Sequence, residues 1–227
     1  MLYKLDAIPV STNFDQVLQK LKIEEDEDIE MVRGLFKTAK EIARPKVLYR
    51  EAYVEEVSGK NVRINDINFE SDVLVANLKK VHRVFAYVST CGTEVDDWSA
   101  NEKDYVVSLW LDMIKELFLH EANTFFKKYL KDSYKLETLS TVNPGSGDVN
   151  NWHISQQVQL FALIGNVKEE IGVTLTDSFL MVPIKSTSGL IYPSATEFVN
   201  CSLCGRENCQ GRRVPFDREL YEKTFKK

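Results

Sequence analysis

No apolar run in this chain approaches the 20 or so residues that a membrane-spanning helix takes, so a membrane protein is not expected. The first residues, Met-Leu-Tyr-Lys-Leu-Asp-Ala-Ile-Pro, lack a basic stretch followed by an apolar core and a small-residue cleavage site. Export is therefore not expected, and the expected location is the cytoplasm. Basic charge is not in excess either. Lys and Arg number 29 against 34 Asp and Glu, a net charge of −5, which argues against nonspecific nucleic-acid binding through phosphate neutralisation. Histidine is scarce, and His82, His120 and His153 show no informative spacing. The Walker spacing G-x-x-x-x-G-K-[ST] is missing. There is no internal repeat, low-complexity tract or Pro/Gly/Ser-rich linker. The 227 residues therefore read as one domain with three parts: an N-terminal helical and hairpin part (1–80), a core (81–200) and a Cys-rich segment (201–213).

What is present is a mixture of helices and strands. Residues 13–43 read as helical, with Ile29, Val32, Phe36, Ala39 and Ala43 on one stripe and Pro45 ending the run. The acidic run Glu24 to Glu30 suits a helix start. Residues 47–57 and 61–67 read as a hairpin about Ser58-Gly59-Lys60, and Ser71 as the cap of a helix through Lys80. Val84 to Val88 reads as a buried strand emptying into the turn Ser89 to Glu94. The longest helix is expected from 104 to 134, its stripe formed by Val107, Trp110, Leu111, Ile114, Leu117, Phe118, Ala122, Phe125 and Leu130. Asp112 falls in that apolar stretch, and a buried carboxylate there needs a partner. Residues 173–176 and 179–182 read as strands of the same sheet. Without regular βαβ alternation the class is α+β.

The loop from Asn143 leads into a helix that Ser155 would cap, with Val158, Phe161 and Ala162 on its buried face. Pro144 fixes the turn, while Gly145 and Gly147 permit positive φ and close approach of a ligand to the backbone. Loop amides and the helix N-terminus would then face a polar or anionic ligand group. An ordinary loop before a helix is the competing reading. The stretch Pro183 to Pro193, rich in Ser, Thr and Gly, reads either as a polar cleft wall or as a turn between strands.

Cys201, Cys204 and Cys209 have C-x2-C-x4-C spacing, with Arg212 and Arg213 just beyond. Three thiolates this close can reach one metal, and zinc or an iron–sulfur cluster usually takes a fourth ligand. Cys91 is the first candidate for it, which predicts that the four sulfur atoms converge; His82, His120, His153 or an exogenous ligand come next. Zinc and iron–sulfur both stay open, as do three reduced thiols without metal. Cys91 as a nucleophile with a histidine base, and Glu94, Asp96 and Asp97 as paired acids, are the weaker enzymatic readings.

Leu139 to Tyr192 resembles the activation domain of cobalamin-dependent methionine synthase. Three segments carry the likeness: the Pro144-Gly145 turn, Asp177-Ser178-Phe179-Leu180-Met181-Val182-Pro183, and Ser186-Thr187-Ser188-Gly189 running on to Tyr192-Pro193. Thr90-Cys91-Gly92-Thr93-Glu94 resembles a turn of its stand-alone members. The resemblance implies a C-shaped α+β fold with a twisted antiparallel sheet and S-adenosylmethionine held in a shallow cleft. It implies reductive methylation of an inactivated cobalamin, in which no side chain acts as nucleophile. It places Gly145, Ser146 and Gly147 in the ligand loop, Ser188 and Gly189 on the opposite wall, and Tyr192 or Phe198 as a stacking face. The chain departs from the family pattern in three places. Thr141 stands for an arginine, Ser146 for an aromatic residue, and Glu197 and Phe198 for a tandem tyrosine. Cobalamin would be carried by a partner, either a corrinoid protein or a corrinoid-dependent methyltransferase, with a separate electron donor protein. The cysteines are an addition to the methionine synthase domain; an iron–sulfur centre there would pass electrons toward cobalt, and zinc would pin the C-terminal segment. The alternative is a non-enzymatic metal-binding interaction module of a corrinoid methyltransferase system.

Overall fold

Alternation along the strands sends successive side chains to opposite sides of one sheet, and each side is covered by helices. The structure, a computed structural model, describes residues 1–146, 152–209 and 212–225. In chain order the elements begin with β1 (Leu2–Leu5), α1 (Phe14–Leu21), α2 (Asp26–Ile42), β2 (Lys46–Ser58), β3 (Asn61–Ile64), β4 (Ile67–Glu70) and α3 (Asp72–Leu78). β5 (Arg83–Thr90), α4 (Thr93–Ser99), α5 (Tyr105–Tyr134) and β6 (Leu139–Val142) follow. The chain continues through α6 (Gln157–Ile164), α7 (Val167–Ile171), β7 (Thr174–Leu175), β8 (Met181–Val182), β9 (Ser186–Pro193) and α8 (Arg218–Phe225).

The fold is α+β with a curled, antiparallel seven-stranded sheet, ordered β4-β3-β2-β5-β9-β6, and β1 also pairs with β2. On one side Leu48, Val84, Ala86, Val88, Leu190 and Tyr192 pack with residues of α3, α6 and α7. On the other, Val47, Tyr49, Phe85, Tyr87 and Ile191 pack against Ala122, Phe126 and Leu130 of α5. The N-terminal half of α5 packs instead with α1, α2 and α4 through Trp110, Ile114 and Phe118. α5 is thus one helix serving two clusters.

Several elements differ from the pattern in the sequence. Residues 13–43 form two helices, because Lys22 closes the first in a left-handed conformation (φ 55°) after a capping box between Asn13 and Gln16. The expected hairpin gains a third strand, β4, turned by Asn65 and Asp66, both at positive φ. Ser71 caps α3 as expected, accepting from the Leu74 N–H. Phe126 rather than Phe125 is fully buried, four residues after Ala122. Asp112 is 45% exposed, paired with Lys115 at 3.1 Å and Lys185 at 3.5 Å. The buried charge belongs to Lys115, only 7% exposed, which also donates to Asp96 at 2.9 Å and to the Ser99 hydroxyl at 3.0 Å. Burial works against its charge, but Asp96 and Asp112 outweigh burial and raise its pKa. β7 and β8 make a separate two-stranded sheet instead of joining the main one. α4 and α8 have no counterpart in the sequence reading. No helix among the described residues is long and apolar enough to cross a membrane.

Phe126 lies between the rings of Tyr49 and Tyr87, at centroid distances of 5.1 and 5.4 Å. Truncating Phe126 to Ala is expected to cost about 3–5 kcal/mol in urea denaturation. Leu109→Ser, at a position 49% exposed on the same helix, is expected to stay within about 0.5 kcal/mol. Equal losses at the two positions would show that α5 is not seated through the Phe126 face.

Candidate functional site

The cleft lies where the C-terminal half of α5 parts from the sheet. His120, Asn123, Thr124 and Lys127 are spaced so that one face of α5 presents all four. They look across at Tyr87 of β5, Thr187 and Ile191 of β9 and Thr141 of β6. Asn143 to Ser146 close one end, and Met181 and Arg213 complete a cleft of about 420 Å³, within the usual range for small-molecule sites. The Ser89 hydroxyl donates to Asn123 Oδ1 at 2.7 Å, tying the helix to β5 beneath the cleft.

Asn143 fixes the loop. Its side-chain amide donates to the Tyr87 hydroxyl at 3.1 Å and to the Ser188 carbonyl at 2.8 Å. Gly189 makes this possible, since a Cβ there would collide with the Val142 carbonyl and come within 2.6 Å of Asn143 Nδ2. Gly145 adopts φ +73°, and a Cβ on it would stand 3.1 Å from Ile154. The Gly145 and Ser146 amides are not aimed at a ligand as expected. The Gly145 N–H donates to the Trp152 carbonyl at 2.8 Å, and that of Ser146 to the Asn143 carbonyl at 3.3 Å. Nor does Ser155 cap the following helix. It lies in a short 3₁₀ turn, Ile154–Gln156, that the His153 ring caps. α6 then buries Gln157, Leu160, Leu163 and Ile164, while Val158 is exposed.

Of the residues anticipated as ligand-binding, Gly145, Ser146 and Ser188 line this cleft. The Ser188 hydroxyl itself is committed elsewhere, donating to Gln157 Oε1 at 2.5 Å. Gly189 acts from behind the lining by admitting Asn143, and Gly147 lies outside the described residues. Tyr192 and Phe198 instead line a second cleft of about 990 Å³ between α3 and the C-terminal segment. Tyr192 is 1% exposed and donates to Asn77 Oδ1 at 2.9 Å. Parity explains the separation, since Ile191 and Tyr192 are neighbours on β9 and therefore point to opposite sides of the sheet. The α5 residues, Tyr87, Asn143 and Arg213 were not anticipated as lining. Polar residues at 120, 123, 124 and 127, three and four apart on one face of α5, are the signal that marks four of them.

Charge in the cleft is positive. Burial lowers the Lys127 pKa; Glu197 opposes this, while Arg213 and Lys131 push it further down. Burial raises the Tyr87 pKa against hydrogen bonds from Asn143 and Thr187 and the nearby Arg213. The Thr141 hydroxyl oxygen is buried without a hydrogen-bond partner.

The cysteines do not converge. Cys91 is fully buried among Val32, Phe36, Ala39 and Val95, whereas Leu203, between Cys201 and Cys204, belongs to the cluster beneath α3 and α6. Among the described residues no group of three or more His, Cys, Asp or Glu side chains is placed to hold a metal ion. The four-cysteine ligand set is therefore not what this geometry offers. Burial, with Asp96 adding to it, pushes the Cys91 thiol up to about 12, which disfavours a nucleophilic thiolate. Cys201 differs. Partial burial opposes its thiolate, but the backbone N–H and guanidinium of Arg213 and the N–H of Val214 outweigh that and lower its pKa. Arg212 pins the segment, donating to the carbonyls of Cys201 at 3.3 Å, Val214 at 3.4 Å and Cys204 at 3.1 Å, and to that of Arg206.

Residues 120–212 match the family model described as vitamin B12 dependent methionine synthase, activation domain. Among solved structures the chain is similar to one described as the MetH reactivation domain bound to AdoHcy. The TM-score is 0.58 at 14% identity, over 88% of this chain and 81% of that one. The likeness establishes a shared fold. No curated protein sequence matches the chain.

A lowered pKa means a larger thiolate fraction near neutral pH, so Cys201 is expected to be alkylated by iodoacetamide several-fold faster than Cys91 in the folded protein. Arg213→Met should slow Cys201 alkylation and shift its pH profile upward. Peptide mapping of the labelled sites reads both, and an unchanged profile would remove Arg213 as the cause.

Proposed function

We propose that this chain is an activation-type module that binds S-adenosylmethionine in the cleft between α5 and the β5–β9–β6 strands. It serves the reductive methylation of cobalamin carried by a separate corrinoid protein, with the electron delivered by a donor protein. One observation carries this reading: every residue lining the cleft except Tyr87 and Arg213 falls within the region 120–212 that matches the activation-domain family. The fold shared with a reactivation domain bound to AdoHcy points the same way.

The residues present fit such a ligand. Lys127 and Arg213 supply positive charge, and Tyr87 with Ile191 and Met181 apolar surface. S-adenosylmethionine brings an electrophilic methyl group on a sulfonium, and the corrinoid substrate brings the nucleophile. The chain's part is to bind, orient and exclude water. A buried, protonated Cys91 accords with that division of labour, since no side chain is asked to attack.

A second reading, an interaction module of a corrinoid methyltransferase system that does not bind S-adenosylmethionine, draws on the placement of Tyr192 and Phe198 outside this cleft. Calorimetric titration separates the two. The activation reading expects saturable S-adenosylmethionine binding that weakens at least about tenfold, or 1.4 kcal/mol, in Gly145→Val. There a side chain would be strained at φ +73° and would press on Ile154. Absence of binding by the unaltered chain would sink the first reading and leave the second.

A further inference from the structure

We propose that Lys127 of α5 and Arg213 of the C-terminal segment form a two-pronged anion anchor at the cleft. The anchor takes the carboxylate of an amino-acid-bearing ligand. The ligand's identity rests on the S-adenosylmethionine reading; the anchor itself does not.

α5 and the C-terminal segment, distant in sequence, bring these two side chains to one cleft. Two cations share that space. The carboxylate that pairs with Lys127 is Glu197, which stands off at 4.0 Å with its side chain 58% exposed, where water screens it. Among the described residues Arg213 has no carboxylate partner; its charge acts on Cys201, Tyr87 and Lys127. Lys131, one turn beyond Lys127, adds charge of the same sign. Lys127 is partly buried, and two positive groups gathered at one cleft are unfavourable alone and favourable around an anion. The planar guanidinium suits a carboxylate edge, and the lysine adds a point charge from the other side. Both groups bind the ligand electrostatically and take no part in bond making.

The test titrates S-adenosylmethionine and its decarboxylated analogue into the unaltered chain, Lys127→Met, Arg213→Met and the conservative Lys127→Arg. Inorganic sulfate serves as an anion probe, read by melting temperature. The anchor predicts that each Met variant weakens S-adenosylmethionine at least about tenfold. The decarboxylated analogue should change less than about twofold, and Lys127→Arg should recover most of the affinity. Sulfate should raise the melting temperature of the unaltered chain and do so less in either Met variant. Equal S-adenosylmethionine affinity across all variants would overturn the anchor and leave the functional reading standing, and so would equal loss of both nucleosides from folded variants. Sulfate protection that vanishes in the variants, with no S-adenosylmethionine binding anywhere, would keep the anchor and overturn the functional reading. Binding of neither probe by the unaltered chain overturns both.

Discussion

The cleft depends on how closely the Asn143 side chain lies against β9. Its amide spans from the Ser188 carbonyl to the Tyr87 hydroxyl, and so joins the loop after β6 to two strands at once. That approach is open only because Gly189 has no Cβ. Any side chain there would push Asn143 off the strand and displace the Val142 carbonyl, with the β6–β9 pairing between Val142 and Leu190 immediately alongside. The described end of the loop is held further, since the Gly145 amide is tied to Trp152, itself packed edge-on against Phe69 in the core. The Gly145 and Ser146 N–H groups are spent on backbone carbonyls, and recognition at this end passes to side chains.

α5 supplies those side chains because it belongs to two clusters. Near its start, Trp110, Ile114 and Phe118 are held by α1, α2 and α4; near its end, Ala122, Phe126 and Leu130 rest on the sheet. Polar residues at 120, 123, 124 and 127 fall between these contacts, on the face that opens beside the strands. A helix anchored at both ends holds such a row firmly, as a binding site requires. The Lys115 cluster contributes to the anchoring, tying α5 to α4 through Asp96 and Ser99.

The α+β class, the caps at Ser71 and the long helix were legible because they rest on local periodicity and capping chemistry. The bend at Lys22, the β4 strand and the separate β7–β8 pair were less so, since each turns on a few residues at positive φ or on which strand edge is free. For the site, Gly145 stood out through turn chemistry and Ser146 and Ser188 through the resemblance, and all three line the cleft. Tyr192 was misplaced by a single residue of strand parity, because a one-residue step carries a side chain to the other face. Cys91 was a candidate partner for the cysteine segment because it is the one other cysteine of the chain. In the fold it closes the turn into α4 among buried apolar residues, and its chemistry is that of a core thiol.

Arg213 is where the C-terminal segment meets the cleft. Arg212 holds the cysteine-bearing loop in shape through its carbonyls, which places the next residue at the cleft wall. The same Arg213 lowers the Cys201 pKa through its backbone N–H and its charge, so one guanidinium faces both a thiol and the ligand space. An anion in the cleft would compete for that charge, and a negative sulfur would draw it away. An anion held there as proposed and the Cys201 thiolate would share one group, and by reciprocity each would weaken the other to the same degree.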